Sequence, residues 1–354
     1  LTVTETYAGN LTAPSAVGAY AVVATVDDAN YQGTANATLT INAAPLTATL
    51  GTKTISYGTA APGAADWVST LTYSGFVNGE NNTVVNTTNL AVAHAAVGNV
   101  ADLVATPSGL TSSNYSISYV NGTLEVAKAT ATIELGSLTQ TYDGNVLAAT
   151  YTTTPAGLNA DLTYSSSPQN AGDYTVTATI NETNYQGEVQ GTLKINKAAA
   201  TVTLGSLAQT YTGGTLAATY TTNPVGLTAD LTYDSSPSSA GNYTVTAEIN
   251  NTNYSGTATD TLVISPKALT ATLGAKEIVY NPTPATPSAV EWAASLTYTG
   301  LVTGDTDSVV NTGSLSVSYD AVVGDVGNYV ATPSGLSASN YTITHAAGSL
   351  AVKK

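Results

Sequence analysis

Residues 135–195 read LGSLTQTYDGNVLAATYTTTPAGLNADLTYSSSPQNAGDYTVTATINETNYQGEVQGTLKI, and residues 204–264 read LGSLAQTYTGGTLAATYTTNPVGLTADLTYDSSPSSAGNYTVTAEINNTNYSGTATDTLVI. The two stretches align without a gap, so that Tyr142 falls on Tyr211. Repetition over this length indicates a chain built from copies of one unit. It predicts a tandem array of small modules rather than one large domain.

A second, longer repeat brackets this pair. Residues 46–58 read LTATLGTKTISYG, and residues 269–281 read LTATLGAKEIVYN. Each copy carries a tryptophan at a corresponding place, Trp67 in the first and Trp292 in the second. The two repeat types together predict the order short, long, short, short, long. The predicted modules span residues 1–44, 45–128, 129–197, 198–266 and 267–354.

The first of these modules corresponds only to the back half of the short repeat, with Tyr20 on Tyr174. We therefore expect that Leu1 is not a natural beginning and that a signal peptide and an anchor lie outside this sequence. Half a module lacks some of its strand partners. We expect residues 1–44 to be ordered only when further residues or a neighbouring chain complete the sheet.

Alternating residues predict strands within each module. Tyr174, Val176, Ala178 and Ile180 alternate with threonines, which is the period of a half-buried strand. The predicted fold is therefore all-β, with tandem small modules that are either β-sandwiches or β-grasp-like. Residues 289–296 are the one place where a single helical turn is expected, together with the equivalent residues near Trp67.

The joints between modules are only a few residues long. They read NAAP at 42–45, AKA at 127–129, NKA at 196–198 and PKA at 266–268. Joints this short predict that the modules form an elongated, semi-rigid rod.

Composition excludes several classes of function. The chain has no cysteine, so disulfides, thiolate metal sites and cysteine nucleophiles are excluded. Its net charge of −15 argues against nucleic-acid and anionic-membrane partners. No apolar stretch approaches the roughly 20 residues that span a bilayer, so we expect no membrane insertion. The sequence also lacks the G-x-S-x-G, H-E-x-x-H and P-loop motifs.

The module motifs resemble a known family. The short unit has an L-x-Q-T-Y-x-G opening, an A-G-x-Y-T-V-T-A strand and an N-x-x-N-Y-x-G turn. The long unit has Y-G at 57–58, T-Y-S-G-F-V-N-G at 72–79 and S-N-Y at 113–115. These units resemble the plain and the YGX-type MBG repeats of large bacterial surface adhesin-like proteins. Asn281 departs from the family pattern, which has glycine there. The resemblance implies an extracellular repeat region without catalytic residues.

The two histidines are the natural candidates for catalysis or metal binding. His94 aligns with Tyr319 of the other long module, and His345 aligns with Tyr119. A metal site needs several converging ligands, and a position that accepts tyrosine in the sister copy does not supply one. We therefore predict no catalytic, cofactor-binding or metal-binding residues and no enzymatic activity.

Calcium is the weaker alternative that the carboxylates leave open. Asp27 and Asp28 lie in one turn, and Asp305 and Asp307 in another. Calcium needs six to eight oxygen ligands, and the equivalent turns replace several of these carboxylates by uncharged residues. The prediction is that these are solvated turn residues.

Other recurring polar residues are interpreted as structural. Junction lysines are predicted to solvate the joints rather than to form crosslinks, and the 22 tyrosines to pack in cores and corners rather than to bind sugars. Asn-x-Ser/Thr sequons matter only if the source glycosylates exported proteins. The lysines are Lys128, Lys197 and Lys267, and the sequons include Asn36, Asn86, Asn121, Asn181, Asn250 and Asn340.

The leading hypothesis for function is a non-catalytic stalk or spacer of an extracellular microbial adhesin or surface fibre. The expected partners are neighbouring modules or chains of the same protein, with a glycan or host ligand at a distal tip outside this sequence. One alternative is a self-assembling extracellular filament or sheath subunit. A second alternative is a set of weak, multivalent glycan- or protein-binding adhesin modules.

Overall fold

The computed structural model describes residues 1–354. Its regular structure is almost entirely short strands, so the all-β prediction is confirmed. The residues divide into two compact units. One unit comprises residues 1–138, 148–166 and 174–193, and the other comprises residues 139–147, 167–173 and 194–354. The division passes through the third module.

The first module is a three-stranded antiparallel sheet in the order β1-β2-β3. Thr2 pairs with Asp27, and Gly18 pairs with Ile41. The expectation that this segment is ordered only when completed stays a prediction. The strands are β1 (Thr2–Tyr7), β2 (Gly18–Asp27) and β3 (Thr34–Ile41).

Each long module consists of two sheets. In the second module these have the orders β6-β4-β9 and β5-β10-β8-β7, and β4 and β5 each pair in parallel with a late strand of the module. The elements are β4 (Ala44–Thr49), β5 (Thr52–Ser56), α1 (Ala64–Trp67), β6 (Thr72–Ser74), β7 (Ala91–Ala93), β8 (Ala101–Ser108), β9 (Tyr115–Val120) and β10 (Gly122–Ala127), with 3-10 turns at Val68–Thr70 and Asn82–Val84.

The third module has one main sheet and a separate strand pair. The main sheet has the order β11-β17-β16-β15, with β13 pairing in parallel with β17, and β12 pairs with β14. The strands are β11 (Ala129–Thr130), β12 (Thr132–Gly136), β13 (Thr139–Thr141), β14 (Thr150–Thr154), β15 (Asp161–Tyr164), β16 (Gly172–Asn181) and β17 (Tyr185–Asn196).

The fourth module repeats this plan. Its main sheet has the order β20-β25-β23-β22, and the pairs β18-β24 and β19-β21 are separate. The strands are β18 (Ala198–Ala199), β19 (Thr201–Gly205), β20 (Ala208–Thr210), β21 (Thr219–Asn223), β22 (Ala229–Tyr233), β23 (Gly241–Ile249), β24 (Tyr254–Ser255) and β25 (Thr257–Ser265).

The fifth module repeats the plan of the second. Its sheets have the orders β28-β26-β31 and β27-β32-β30-β29. The elements are β26 (Lys267–Thr272), β27 (Ala275–Val279), α2 (Ala289–Ala293), β28 (Thr297–Thr299), β29 (Ser316–Tyr319), β30 (Gly327–Ser334), β31 (Tyr341–Ala346) and β32 (Gly348–Lys353), with a 3-10 turn at Asp307–Val309.

The core of a long module lies between its two sheets. Leu46 of one sheet and Leu124 of the other are fully buried in the same cluster, together with Trp67. The helices are too short to cover a sheet, which favours the sandwich alternative over the β-grasp-like one.

The expected helical turn exists in both long modules and delivers the tryptophan to the core. In α2 the Ser288 hydroxyl accepts from the Glu291 N–H at 3.3 Å, and the Glu291 carboxylate accepts from the Ser288 N–H at 2.7 Å. This capping box satisfies two of the free N–H groups at the start of a very short helix. Trp292 then lies on the buried side, with none of its surface exposed.

Candidate interface between modules

Each joint is centred on an Asn-Tyr pair in a late turn of the following module, which lies beside the first strand of that module. In the fourth module the Asn251 carboxamide oxygen accepts from the Asn253 N–H at 2.8 Å, which fixes the turn before the pair. The first strand of the module begins beside it, because the Ala198 N–H donates to the Asn253 carbonyl at 2.8 Å. The four pairs are Asn114-Tyr115, Asn184-Tyr185, Asn253-Tyr254 and Asn340-Tyr341.

The asparagine side chain joins the two modules by hydrogen bonds. Its carboxamide oxygen accepts a backbone N–H from the preceding module in every joint. In two joints its NH₂ group also donates across the joint, from Asn184 to the Asn99 Oδ1 and from Asn253 to the Asn170 Oδ1, each at 2.9 Å. These backbone N–H groups donate to the asparagine oxygens as follows: Val17 to Asn114 at 3.2 Å, Val100 to Asn184 at 3.0 Å, Ala171 to Asn253 at 2.8 Å and Ala240 to Asn340 at 2.8 Å.

The tyrosine ring of the pair packs against a tyrosine of the preceding module in three joints. All three contacts are edge-to-face, an arrangement that contributes about 0.5–1.5 kcal/mol beyond area burial. The preceding tyrosine is held at the end of its own module; for example, the Tyr142 N–H donates to the Asn196 carbonyl at 2.9 Å. The ring centroids are 5.4 Å apart for Tyr57 and Tyr185, 5.4 Å for Tyr142 and Tyr254, and 5.5 Å for Tyr211 and Tyr341.

A carboxylate strengthens the joint that precedes the fifth module. The Asp305 Oδ2 accepts from the Tyr341 hydroxyl at 2.6 Å and from the Tyr211 hydroxyl of the fourth module at 3.0 Å. Burial, with the hydrogen bond to this carboxylate, raises the pKa of both tyrosines above the usual 10.0. The prediction that Asp305 is a solvated turn residue is therefore wrong, because it binds two buried phenols. Asp307 is exposed.

The second module has a carboxylate at the equivalent position, which accepts a hydrogen bond from only one tyrosine hydroxyl. Glu80 occupies the position of Asp305, and its Oε2 accepts from the Tyr115 hydroxyl at 2.5 Å. The Phe76 ring packs edge-on against Tyr115, with centroids 5.6 Å apart.

The junction lysines bind the following module. The Lys128 Nζ donates to the Asn181 Oδ1 at 2.7 Å, and the Lys197 Nζ donates to the Asn251 carbonyl at 2.7 Å. Both hydrogen bonds are exposed, and the prediction that these lysines solvate the joints rather than form crosslinks stays a prediction. Lys267 begins the fifth module, and its N–H donates to the Asn340 carbonyl of the same module at 3.0 Å.

The remaining carboxylate candidates do not gather into a site. The Asp28 Oδ1 accepts from the Asn30 N–H at 2.8 Å, which closes a local turn, and Asp27 ends β2. No group of three or more Asp, Glu or His side chains is placed to hold a metal ion. The calcium alternative gains no support from this arrangement.

The two histidines lie apart, each in its own long module. The His94 Nδ1 lies 2.7 Å from the Ala95 carbonyl oxygen. The His345 Nε2 is buried and makes no hydrogen bond. Neither is joined to a second titratable side chain by a hydrogen bond.

Two of the sequon asparagines are engaged in joints. Asn340 accepts the Ala240 N–H, and Asn181 accepts the Lys128 ammonium. Asn250 donates to the Asp230 carboxylate at 2.9 Å, and Asn86 accepts the Thr88 N–H at 2.9 Å. These residues are structural acceptors and donors in the folded chain.

Comparison with protein families gives a match along almost the whole chain. The MBG domain matches residues 1–45, 131–199 and 200–268, and the MBG domain of YGX type matches residues 46–125 and 269–351. The chain belongs to the MBG domain family. The family assignment made from the motifs is therefore confirmed, and the chain is a tandem repeat region of MBG domains. Repeat domains of this kind point to non-catalytic modules.

No curated protein matches the chain. Solved structures similar to the chain include Sidekick-1 immunoglobulin domains 1–5, at 12% identity and a TM-score of 0.26, covering 95% of this chain and 86% of that one. Domains 4–9 of the surface layer protein SbsC give 12% identity and a TM-score of 0.19, over 95% of this chain and 54% of theirs. None of the helices is long and apolar enough to cross a membrane.

Proposed function

We propose that this chain is a non-catalytic stalk, which holds an adhesive part of an extracellular microbial surface protein at a distance from its anchor. The observation that carries the proposal is the repeated joint. At four successive joints an asparagine side chain of one module accepts a backbone N–H of the module before it. A spacer needs such fixed joints, because a chain of freely hinged domains does not maintain its reach.

Two further features support a stalk. The joints use residues that every module carries, so further modules can be added without a new interface. The surface is strongly acidic and carries only 8 basic side chains, which keeps densely packed chains soluble and apart. The partners in this proposal are the neighbouring modules, and the location is the cell surface.

Small-angle X-ray scattering tests the proposal. A compact globule of this length has a radius of gyration of about 20 Å, and we expect a value well above it, with the skewed distance distribution of a rod. Substituting the three joint asparagines Asn184, Asn253 and Asn340 by Ala should shorten the maximum dimension, because the modules then hinge. The matched control is Asn30→Ala, since Asn30 occupies the same position in the first module but joins no other module. A radius near the globular value for the unmodified chain rejects the stalk.

The alternative function is a self-assembling extracellular filament or sheath subunit, in which chains of this protein bind one another. Electron microscopy of the purified chain distinguishes the two functions. Filaments that lengthen with protein concentration support the alternative, and separate rods support the stalk.

A further inference from the structure

Two tyrosines of neighbouring modules bring their hydroxyl groups to a single atom. The Asp305 Oδ2 accepts from the Tyr341 hydroxyl at 2.6 Å and from the Tyr211 hydroxyl at 3.0 Å. The two rings are also in edge-to-face contact, with centroids 5.5 Å apart. The ortho carbons of a phenol flank its hydroxyl group, so the ortho carbons of the two rings are held near each other. This joint therefore places two phenols and a base side by side.

The other tyrosine contacts lack one part of this arrangement. Two joints have the ring contact without a carboxylate on the hydroxyl groups. In the second module Glu80 accepts from the Tyr115 hydroxyl, but the ring packed on Tyr115 belongs to Phe76, which has no hydroxyl. The pairs without a carboxylate are Tyr57 with Tyr185 and Tyr142 with Tyr254, each with centroids 5.4 Å apart.

The pair of phenols is buried but lies next to solvent. Tyr211 is 6% exposed and Tyr341 is 4% exposed. A surface cavity of about 430 Å³ is lined by Tyr211, Val302 and Lys267, among others. Asp305 is half-buried, so its carboxylate can pass a proton on to water. A small oxidant in the cavity can therefore take an electron from the ring while the proton leaves through the carboxylate.

We propose that Tyr211 and Tyr341 are a site of oxidative crosslinking, at which an external one-electron oxidant converts the pair to dityrosine with Asp305 as the proton acceptor. Each phenol gives one electron to the oxidant and its hydroxyl proton to Asp305, which passes the proton to water before the second phenol reacts. The two phenoxyl radicals join through a bond between ortho carbons. The hydrogen atom on each of these carbons then moves to the phenolic oxygen. The product has lost two hydrogen atoms, and two equivalents of the oxidant have been reduced.

Proximity and the base both favour this pair over the others. Reacting groups that are held in contact combine far faster than groups that must meet by diffusion. A positioned base speeds a proton transfer by about 10²–10⁴-fold. The chain has no cysteine and so no disulfide, and this bond would join its fourth and fifth modules covalently. The inference goes beyond the stalk role and does not depend on it.

Photo-oxidation of the intact chain tests the proposal. Tris(bipyridine)ruthenium under visible light, with persulfate as the electron acceptor, supplies the one-electron oxidant in limited doses. Mass spectrometry of a digest identifies joined peptides by the loss of two hydrogen atoms. We expect the peptide that joins Tyr211 to Tyr341 to form at a lower dose than the peptide that joins Tyr142 to Tyr254. Mixing ¹⁵N-labelled with unlabelled chains distinguishes bonds within a chain from bonds between chains.

Matched variants separate the role of the base from that of packing. Asp305→Asn keeps the size of the side chain and should slow this crosslink by about tenfold or more, because the base is lost. Asp305→Glu keeps a carboxylate, as Glu80 does in the second module, and should retain the crosslink. Tyr211→Phe should abolish it and leave the joined peptide of Tyr142 and Tyr254 unchanged.

Three results overturn the proposal. The first is no joined peptide of Tyr211 and Tyr341 at a dose that oxidises Tyr31, whose side chain is 64% exposed. The second is an equal rate of crosslinking in the Asp305→Asn variant and the unmodified chain. The third is joining of these two tyrosines only between labelled and unlabelled chains.

Discussion

The two long modules share a plan but exchange tyrosine and histidine at two half-buried positions. In the fifth module the Trp292 Nε1 donates to the Tyr319 hydroxyl at 3.0 Å. In the second module histidine stands at the position of Tyr319, and the Trp67 Nε1 is buried without a partner. At a second position the second module has the tyrosine and the fifth module has the histidine. The Tyr119 hydroxyl bonds the Leu110 N–H at 3.0 Å, whereas His345, at the same position in the fifth module, has a buried nitrogen without a partner.

This difference shows that the tyrosines are structural and that histidine is a tolerated, weaker substitute. Each histidine removes a hydroxyl that reaches a specific partner and leaves one polar atom buried and unbonded. Such an atom costs about 1–3 kcal/mol. The module still folds, because its core of leucine, valine and tryptophan is unchanged between the copies.

Removing the tryptophans should have the largest effect on stability, and the effect should differ between the two long modules. Trp292→Ala and Trp67→Ala each delete a fully buried indole, which costs about 3–5 kcal/mol. We expect the Trp292 variant to lose about 1 kcal/mol more, because it also loses the bond to Tyr319. Native-state hydrogen exchange measures the opening free energy of each module in the same chain. Equal losses in the two modules contradict this interpretation.

Restoring tyrosine in the fifth module should give the next largest effect. His345→Tyr places a hydroxyl opposite the backbone of Leu336, which corresponds to Leu110. We expect the opening free energy of this module to rise by about 1–2 kcal/mol, since a buried unbonded nitrogen is replaced by a bonded hydroxyl. The reverse substitution Tyr119→His in the second module is the control and should lower its opening free energy by a similar amount. A destabilised His345→Tyr variant would show that the ring site does not accept the phenol.

The sequence predicted the repeats, the all-β class, the family and the helical turn, because these depend on local patterns. The exchange of histidine and tyrosine was also visible by aligning the copies. The joints were not predicted in detail. Asp305 and Tyr211 lie 94 positions apart, and their contact depends on how one module meets the next. The recurring Asn-Tyr pair is the available signal, but its sequence pattern indicates only a turn and, at Asn340, a sequon. The module boundaries stay predictions.

Restoring tyrosine in the second module should have a smaller effect. His94→Tyr should place a hydroxyl within reach of the Trp67 Nε1, as Tyr319 does for Trp292. We expect a gain of about 0.5–1.5 kcal/mol in the opening free energy of the second module. The control is Tyr319→Phe, which should lower the opening free energy of the fifth module by a similar amount. Unchanged hydrogen exchange at the Trp67 indole in the His94→Tyr variant would show that the bond does not form.

Raising the pH above 10 should have the smallest of these effects on stability, and the effect should be local to Tyr115 and Tyr341. Burial, with the hydrogen bond to a carboxylate, raises the pKa of Tyr115 and Tyr341 above 10.0. The folded state therefore holds these protons more tightly than the unfolded state. Their contribution to stability is complete below pH 10 and is lost as the pH rises through the folded-state pKa. Ultraviolet absorbance should show one late-titrating phenol fewer in Tyr115→Phe and in Tyr341→Phe than in the unmodified chain.

The most direct test of the proposed fixed joint is a distance distribution across the second and third modules. The chain has no cysteine, so Thr106→Cys and Thr163→Cys, at exposed positions of the two modules, provide the only two labelling sites. Double electron–electron resonance between spin labels should give one narrow distance distribution. Adding Asn184→Ala should broaden it, because that side chain bonds Val100 and Asn99 across the joint. A broad distribution in the unmodified joint, or the same width with and without Asn184, would contradict the account.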